Sequence, residues 1–240
     1  MKIQAIRTHL VQANEQIFDI LDAYLPKLEE RNIVAVTSKI ISICEGSLLE
    51  KKMTKHELVK QEADCYLDEE NPHGVLLTIK NGILIPNAGI DESNAAGTYI
   101  LYPKNIFLSA AQIWSHLRTR HHLNHLGVII TDSHTTPLRW GVTGIGIGWC
   151  GFHPLNNYIG TPECHGCHLK FTKVNVLDAL AAAAVFTMGE GNEQTPLALL
   201  TELAKVDFAD TPPTPEEIAS LKIPIEQDIY GPLFSKGKWV

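Results

Sequence analysis

The chain has 240 residues, of which 45% are hydrophobic and 20% are charged, a composition typical of a globular protein with a sizeable core. Its net charge of −7 makes nucleic acid and anionic membrane surfaces poor partners, because both select basic proteins. The N-terminal segment lacks the apolar stretch of a secretory signal, and no apolar run reaches membrane-spanning length, so we expect a cytoplasmic protein.

The first part of the chain predicts alternating strands and helices. Its apolar spacing indicates, in order, a strand and turn over residues 2–12, a helix over 16–30, a strand over 33–37, a helix over 54–67, and a hairpin with strands 75–79 and 83–85. Thr54 and Glu57 have the spacing of a helix capping box. Lys80-Asn81-Gly82 between these two strands is typical of a hairpin turn.

The second part continues this mixture. It predicts a helix over residues 106–123, a short apolar strand over 127–131, a glycine-rich apolar segment over 140–152, a buried helix over 174–188, and a capped helix that begins at Thr214. Strands and helices therefore interleave with hairpins, which favours an α+β fold with a mixed sheet. We expect residues 1–210 to form one domain and residues 211–240 to be an extension that packs on it.

Acidic side chains occur at three predicted turns. Asp91 follows Gly89 in a turn, Asp132 comes directly after the 127–131 strand, and Glu190 stands between two glycines at the end of the buried helix. Each feature alone is consistent with a plain turn, a strand terminus or a glycine helix cap. Together they predict a site for Mg²⁺ or Mn²⁺, which bind a few carboxylates together with phosphate oxygens and water.

Several longer motifs resemble one known family. They are AVTSKIISICEG (35–46), NAGIDESN (87–94), GVIITDS (127–133), RWG (139–141) with IG (147–148), and MGEG (188–191). In this order the motifs resemble those of the coenzyme F-420:L-glutamate ligase family, and the resemblance extends from about residue 3 to about residue 205.

The resemblance implies an unusual α+β fold and an intertwined homodimer with the site near the subunit boundary. It also implies an enzyme that uses GTP, or ATP, together with Mg²⁺ or Mn²⁺. Such an enzyme joins the α-amine of L-glutamate to a carboxylate of a cofactor-like acceptor through an acyl phosphate. The acceptor would be the deazaflavin precursor of coenzyme F-420 or a folate.

The family's functional residues carry over by position. The implied metal ligands are Asp91, Asp132, Ser133 and Glu190, and the three carboxylates among them are the catalytic candidates. The implied nucleotide contacts come from the loop over residues 188–195 and from segments near the N-terminus. Those expected to bind the nucleotide are Thr8, His9, Leu10, Val11, Ser38, Lys39, Asn94, Met188, Gly189, Gly191 and Asn192.

The chain departs from the family pattern at two places. Ile43 stands where the family commonly has lysine, and Thr135-Thr136 stands where it commonly has Gly-Arg. These departures remove two potential anion contacts and leave the acceptor open. They also motivate an alternative hypothesis, a non-catalytic protein that binds metal or nucleotide on the same scaffold.

Three other patterns have competing interpretations. The CHGCH segment (164–168) is compatible with a small zinc-binding redox module or with a plain loop. The spacing of glycines over residues 146–151 fits a dinucleotide-binding fingerprint, but Pro154 opposes a helix there, so packing glycines in a bent strand are favoured. His121 and His125 are spaced for a shared metal, although histidines near a helix end are usually solvated.

Overall fold

The computed structural model describes residues 1–69, 71–92 and 97–240. In chain order its strands and helices are β1 (Lys2–Ile6), α1 (Ile17–Tyr24), β2 (Asn32–Thr37), α2 (Ser38–Cys44), β3 (Leu48–Glu50), α3 (Lys55–Glu62), β4 (Cys65–Tyr66), β5 (Leu77–Lys80), β6 (Ile83–Pro86), β7 (Thr98–Ile100), α4 (Ile106–His121), β8 (Leu126–Thr135), β9 (Val142–Cys150), β10 (Leu155–Asn157), β11 (Lys173–Asn175), α5 (Val176–Met188), β12 (Leu197–Thr201), α6 (Pro215–Ser220) and α7 (Gly231–Phe234).

A five-stranded sheet with the order β1-β12-β2-β8-β9 forms the centre of the fold. Strands β2 and β8 pair in parallel, and the other neighbours pair antiparallel. The predicted mixed sheet is therefore confirmed. A three-stranded sheet β4-β5-β6 and two two-stranded pairs, β3-β7 and β10-β11, complete the strands that the structure describes.

Helices cover both faces of the central sheet. Alternate residues of a strand point to opposite faces, so Val34 and Val36 of β2 join a core with α1, α2 and α4, whereas Ile33 and Ala35 face α5. This double burial explains why β2 is apolar along its whole length.

Glycines allow α5 to approach β9 closely. A Cβ atom on Gly144 would lie 2.5 Å from the Ala181 carbonyl oxygen, and one on Gly146 would lie 2.4 Å from the Leu177 side chain. A β-bulge at Ile130/Thr131, where β8 pairs with β9, bends the strand locally. The glycine-rich segment thus forms a closely packed strand. This is the interpretation that the sequence favoured over a dinucleotide-binding fingerprint.

Three predicted helices end earlier than expected, and α4 does so by only two residues, at His121. The first ends at Tyr24, because Leu25 precedes Pro26 and takes an extended conformation. The predicted 54–67 helix has the expected capping box but ends at Glu62, and the following residues form the short strand β4 instead. The hairpin is confirmed as β5 and β6, with positive φ at both turn residues, Asn81 and Gly82.

The predicted 127–131 strand was too short. Strand β8 continues through Asp132 and Ser133 to Thr135, because it pairs with β9 over this whole length. Asp132 therefore lies inside a strand and not at its end. The neighbouring strand holds its backbone in place from one side.

The C-terminal residues run back along the rest of the chain. Thr214 and Glu217 form the predicted capping box of α6. The last residues reach β4, where Val240 and Tyr66 exchange two backbone hydrogen bonds of 3.0 Å. The division into a domain over 1–210 and an extension over 211–240 stays a prediction. Within the described residues, none of the helices has the length and apolar character needed to cross a bilayer.

Candidate functional site

One cavity of about 700 Å³ is lined by the segments that the sequence predicted to form the site. Its volume lies in the range of about 300–1,000 Å³ that is usual for small-molecule sites. The predicted site residues that line it are Thr8, His9, Leu10, Val11, Ser38, Lys39, Asp91, Asp132, Ser133, Met188, Gly189, Glu190, Gly191 and Asn192. Asn94 lies outside the residues that the structure describes.

A strained turn delivers Asp91 to the cavity. Asn87, Ala88 and Gly89 all have positive φ values between 52° and 71°. Asn adopts such a conformation more readily than Ala, so the cost falls mainly on Ala88 and other contacts must hold it. The backbone of Asp91 then pairs with that of Ile100 through hydrogen bonds of 3.0 and 2.9 Å, which fixes where the carboxylate emerges.

Lys39 forms an ion pair with Asp91 across the cavity wall. Lys39 is the second residue of α2, and Asp91 belongs to the turn after β6. Both side chains are partly exposed, at 35% for Lys39 and 25% for Asp91. A cationic group therefore already neutralises one of the predicted metal ligands.

Asp132 is held on both carboxylate oxygens. The Tyr102 hydroxyl donates to Oδ2 at 2.6 Å, and the Ser133 amide donates to Oδ1 at 2.8 Å. Burial raises the pKa of Asp132 from 3.8 to about 6. The two hydrogen bonds lower this pKa, whereas the negative charge of Asp91 raises it. Burial and the neighbouring Asp132 also raise the pKa of Tyr102 well above 10, so Tyr102 remains a donor.

The glycine-rich loop after α5 closes on itself. The Thr195 hydroxyl donates to the Met188 carbonyl oxygen, which joins the two ends of the loop. The Gly191 amide donates to the Glu193 carboxylate at 2.8 Å, and a Cβ on Gly189 would lie 2.6 Å from that carboxyl carbon. The loop's own carboxylate thus lies where the two glycines leave room for an anion. Glu190, the predicted ligand, is exposed at the cavity edge.

The segment after β1 packs beside this loop. The Thr8 amide donates to the Gln194 carbonyl oxygen at 2.9 Å. The imidazole of His9 bridges two partners, with Nδ1 at 2.8 Å from the Tyr24 hydroxyl and Nε2 at 2.6 Å from the Glu15 carboxylate. The predicted nucleotide segments 8–11 and 188–195 are therefore adjacent in the cavity wall.

The charge of the cavity suits a bound cation. Among the described lining residues, the carboxylates are Asp91, Asp132, Glu190 and Glu193, whereas Lys39 is the single lysine or arginine. This excess of carboxylates would repel a triphosphate unless a cation inverted the local field. Hard divalent cations bind such oxygen groups.

The carboxylates do not already form a closed metal cluster. In the part of the chain that the structure describes, no three His, Cys, Asp or Glu side chains are grouped closely enough to hold an ion. The residues nevertheless fit a Mg²⁺ or Mn²⁺ site that few carboxylates share with phosphate and water. Asp91 and Asp132 interact electrostatically, and they would provide the protein's main ligands.

Two titratable lining residues, Tyr102 and His134, lie outside the predicted segments, and Glu193 lies in the predicted 188–195 loop but was not predicted individually. Tyr102 contacts Asp132, Glu193 folds onto the glycine loop, and His134 follows Ser133 into the cavity wall. Burial lowers the pKa of His134, so its imidazole is neutral near pH 7. The alternation along β8 could have indicated His134, but no local pattern marks Tyr102.

The other candidate metal patterns find different explanations. Cys164 and Cys167 are exposed free thiols, and the CHGCH segment contributes to no metal-ligand group among the described residues. His121 accepts the Leu28 amide at 3.3 Å, whereas His125 faces Glu30 at 3.5 Å. The two histidines therefore have separate partners.

Known proteins are similar to this chain over most of its length. A model of the family described as F420-0:Gamma-glutamyl ligase matches residues 5–202. The coenzyme F420:L-glutamate ligase of Methanococcus maripaludis is 30% identical over 96% of this chain and 97% of its own length. Those of Halobacterium salinarum and Methanopyrus kandleri are 37% and 31% identical, over 76% and 74% of this chain and 78% and 77% of their own lengths. These matches confirm the resemblance in the motifs, and the chain belongs to the F420-0:gamma-glutamyl ligase family.

Proposed function

We propose that this protein is a nucleotide-triphosphate-dependent ligase that joins the α-amine of L-glutamate to a carboxylate of a cofactor-like acceptor. The family relationship supports a glutamate ligase. The observation that most supports the nucleotide and metal requirement is the meeting of Lys39, Asp91, Asp132 and the 188–195 loop at one cavity. GTP or ATP would bind there together with Mg²⁺ or Mn²⁺.

The proposed reaction has two steps. An acceptor carboxylate oxygen attacks the γ-phosphorus, the bond from that phosphorus to the β–γ bridging oxygen breaks, and the nucleoside diphosphate leaves. The neutral glutamate α-amine then attacks the acyl carbon, the bond from that carbon to the phosphoryl oxygen breaks, and the departing inorganic phosphate takes the proton that the nitrogen loses as the amide forms. A carboxylate is already ionised at neutral pH, so the first step requires alignment and charge neutralisation but no protein base.

Residues of the chain supply this alignment. Asp91 and Asp132 would hold the divalent ion, whose chemistry is to neutralise charge on the phosphates. Once Asp91 has this partner, the Lys39 ammonium is available to a phosphate oxygen. The loop amide at Gly191 would contact the nucleotide when the Glu193 carboxylate moves away, and Gly189 would leave space for a phosphate oxygen beside it.

The acceptor is proposed to be a deazaflavin precursor or a folate. Ile43 lines the cavity where the family commonly has lysine, and it joins Ile40, Ile85 and Ile90 in the apolar part of the wall. An apolar wall suits the extended ring system that both acceptors carry behind their carboxylate. The missing lysine removes one anion contact, so we expect the acceptor's ring to contribute more to its binding than its charge.

We further propose that the protein is a homodimer. The hairpin between β8 and β9 exposes Leu138 fully and Trp140 almost fully, next to Val142 at the cavity edge. Large apolar side chains grouped at an exposed tip are typical of a surface that another protein covers. A second copy of the chain is the partner that the family relationship favours.

The proposal is tested by measuring phosphate release from GTP or ATP with Mg²⁺ or Mn²⁺. Release should require both L-glutamate and one of the two acceptors. Asp132→Asn should abolish it, whereas Asp210→Asn, an exposed control outside the cavity, should leave it unchanged. Nucleotide binding without turnover under every condition would favour the non-catalytic alternative.

A further inference from the structure

Tyr102 and Asp132 form a short polar contact between two distant segments of the cavity wall. The Tyr102 hydroxyl lies 2.6 Å from Oδ2 of Asp132, and the Ser133 amide occupies Oδ1 at 2.8 Å. A carboxylate oxygen has two lone pairs, so each oxygen retains one for a further partner. The two donors thus fix the plane of the carboxylate without saturating it.

The ring of Tyr102 is held by the turn that carries Asp91. A Cβ atom on Gly89 would lie 2.2 Å from the Tyr102 ring and 2.5 Å from its hydroxyl oxygen, so only glycine permits this position of the ring. Gly89 also has a φ of +71°, which L side chains rarely adopt. The missing side chain of Gly89 therefore leaves the space that the Tyr102 ring occupies at the turn.

The chain from Ile100 to Tyr102 contacts both Asp91 and Asp132. Asp91 pairs with Ile100 through two backbone hydrogen bonds, and Tyr102, two residues further on, reaches Asp132. The position of Asp132 relative to Asp91 is consequently set through Tyr102. Lys39 cannot do this, because its ammonium must leave Asp91 when another cation binds there.

We propose that Tyr102 is a positioning residue that holds the Asp132 carboxylate in the orientation required by a divalent cation shared with Asp91. This inference rests on the metal dependence of the proposed function. A neutral hydroxyl donor stays in place when the cation arrives, so it orients the ligand in both the free and the bound protein. Such partners of metal ligands typically contribute about 10- to 100-fold to metal affinity.

The test compares Tyr102→Phe with Tyr99→Phe in the full-length chain. Both changes remove one hydroxyl and keep the ring, but the Tyr99 hydroxyl donates to the Met53 carbonyl oxygen at 3.3 Å and does not line the cavity. Mn²⁺ binding without substrates is followed by electron paramagnetic resonance of the free ion. We expect Tyr102→Phe to weaken Mn²⁺ binding about 10- to 100-fold, and Tyr99→Phe to leave it unchanged.

Kinetics separate positioning from a purely structural role. Tyr102→Phe should raise the Mn²⁺ concentration needed for half-maximal phosphate release, and saturating Mn²⁺ should restore most of kcat. The metal-free thermal midpoint checks the fold, and Tyr102→Leu provides a second variant without the hydroxyl if Tyr102→Phe does not fold.

The outcomes are distinguishable. Wild-type Mn²⁺ affinity in Tyr102→Phe would overturn the inference and leave the proposed function intact. An equal loss of affinity in both variants would also overturn it, because the effect would then not pass through Asp132. A wild-type protein that binds no Mn²⁺, with or without nucleotide, would overturn the metal-dependent function and the inference with it.

Discussion

At the scale of single residues, the cavity holds a carboxylate, Asp132, whose ionised form is electrostatically unfavourable. Asp132 is partly buried beside a second carboxylate, Asp91, and only the hydrogen bonds from Tyr102 and Ser133 and the charge of Lys39 oppose the cost. Carboxylates that a fold holds at such a cost are typical of functional sites. Two predictions follow from these charges.

The stability of the metal-free protein should depend on the ionisation of Asp132. Its pKa is about 6 in the folded chain and near 3.9 when unfolded. Between these values the folded state holds the extra proton, so stability should fall as pH rises from about 4 to about 6. Asp132→Asn should remove this fall and be more stable at pH 7 by on the order of 1–3 kcal/mol.

Denaturant unfolding with a chelator present, at a series of pH values, measures this dependence. Asp210→Asn, whose side chain is exposed, is the control and should follow the wild type. An identical pH slope in wild type and Asp132→Asn would show that Asp132 is not the titrating group.

Lys39 should contribute to nucleotide binding more than to metal binding. Lys39→Met removes the ammonium that pairs with Asp91, so we expect the KM for the nucleotide to rise about tenfold, the loss of one charged hydrogen bond. The Mn²⁺ affinity should not fall, because the competitor for Asp91 is gone. Lys51→Met breaks a comparable surface pair with Glu92 and should leave steady-state kinetics unchanged.

At the scale of elements, sequence patterns correctly predicted the features that depend on interactions between neighbouring residues. The capping boxes at Thr54 and Thr214 and the Asn81-Gly82 turn appear as expected, since each depends on neighbours within a few residues. The end of α3 and the full length of β8 were missed because pairing with distant strands decides them. For the same reason Asp132 was expected at a strand end.

Close packing between β9 and α5 should make Gly144 sensitive to substitution. A Cβ there would meet the backbone of α5 at Ala181, which cannot move as a flexible side chain can. Gly144→Ala should therefore lower the free energy of unfolding by about 1–3 kcal/mol. Urea unfolding measures the change, with the exposed neighbour Thr143→Ala as control. A shift in midpoint no larger than that of the control would contradict this packing.

At the scale of the whole molecule, the site is assembled from segments that are far apart in the chain. Thr8 contacts Gln194, and Tyr102 contacts Asp132, across separations that periodicity and spacing do not encode. Local turn patterns pointed to Asp91, Asp132 and Glu190, but the nucleotide-binding residues that line the same cavity were carried over from a family. Tyr102 lay outside the family motifs and was therefore missed.

The exposed hairpin tip should matter for assembly. Trp140→Ser should weaken the proposed homodimer and shift the protein toward monomer at micromolar concentration, because it removes the largest apolar side chain at the tip. Light scattering coupled to size-exclusion chromatography measures the mass. Phe171→Ser removes another highly exposed aromatic residue elsewhere and is the control. A mass that does not change with Trp140→Ser would place any interface at another surface.

Mass spectrometry of the acceptor tests the central claim most directly. The purified protein is incubated with L-glutamate, Mn²⁺, GTP or ATP, and either a deazaflavin precursor or a folate. The account predicts that one acceptor gains the mass of a glutamyl residue only when the nucleotide is present, and that Asp132→Asn gives no product. Nucleotide binding by the wild type without glutamylation of either acceptor would contradict it.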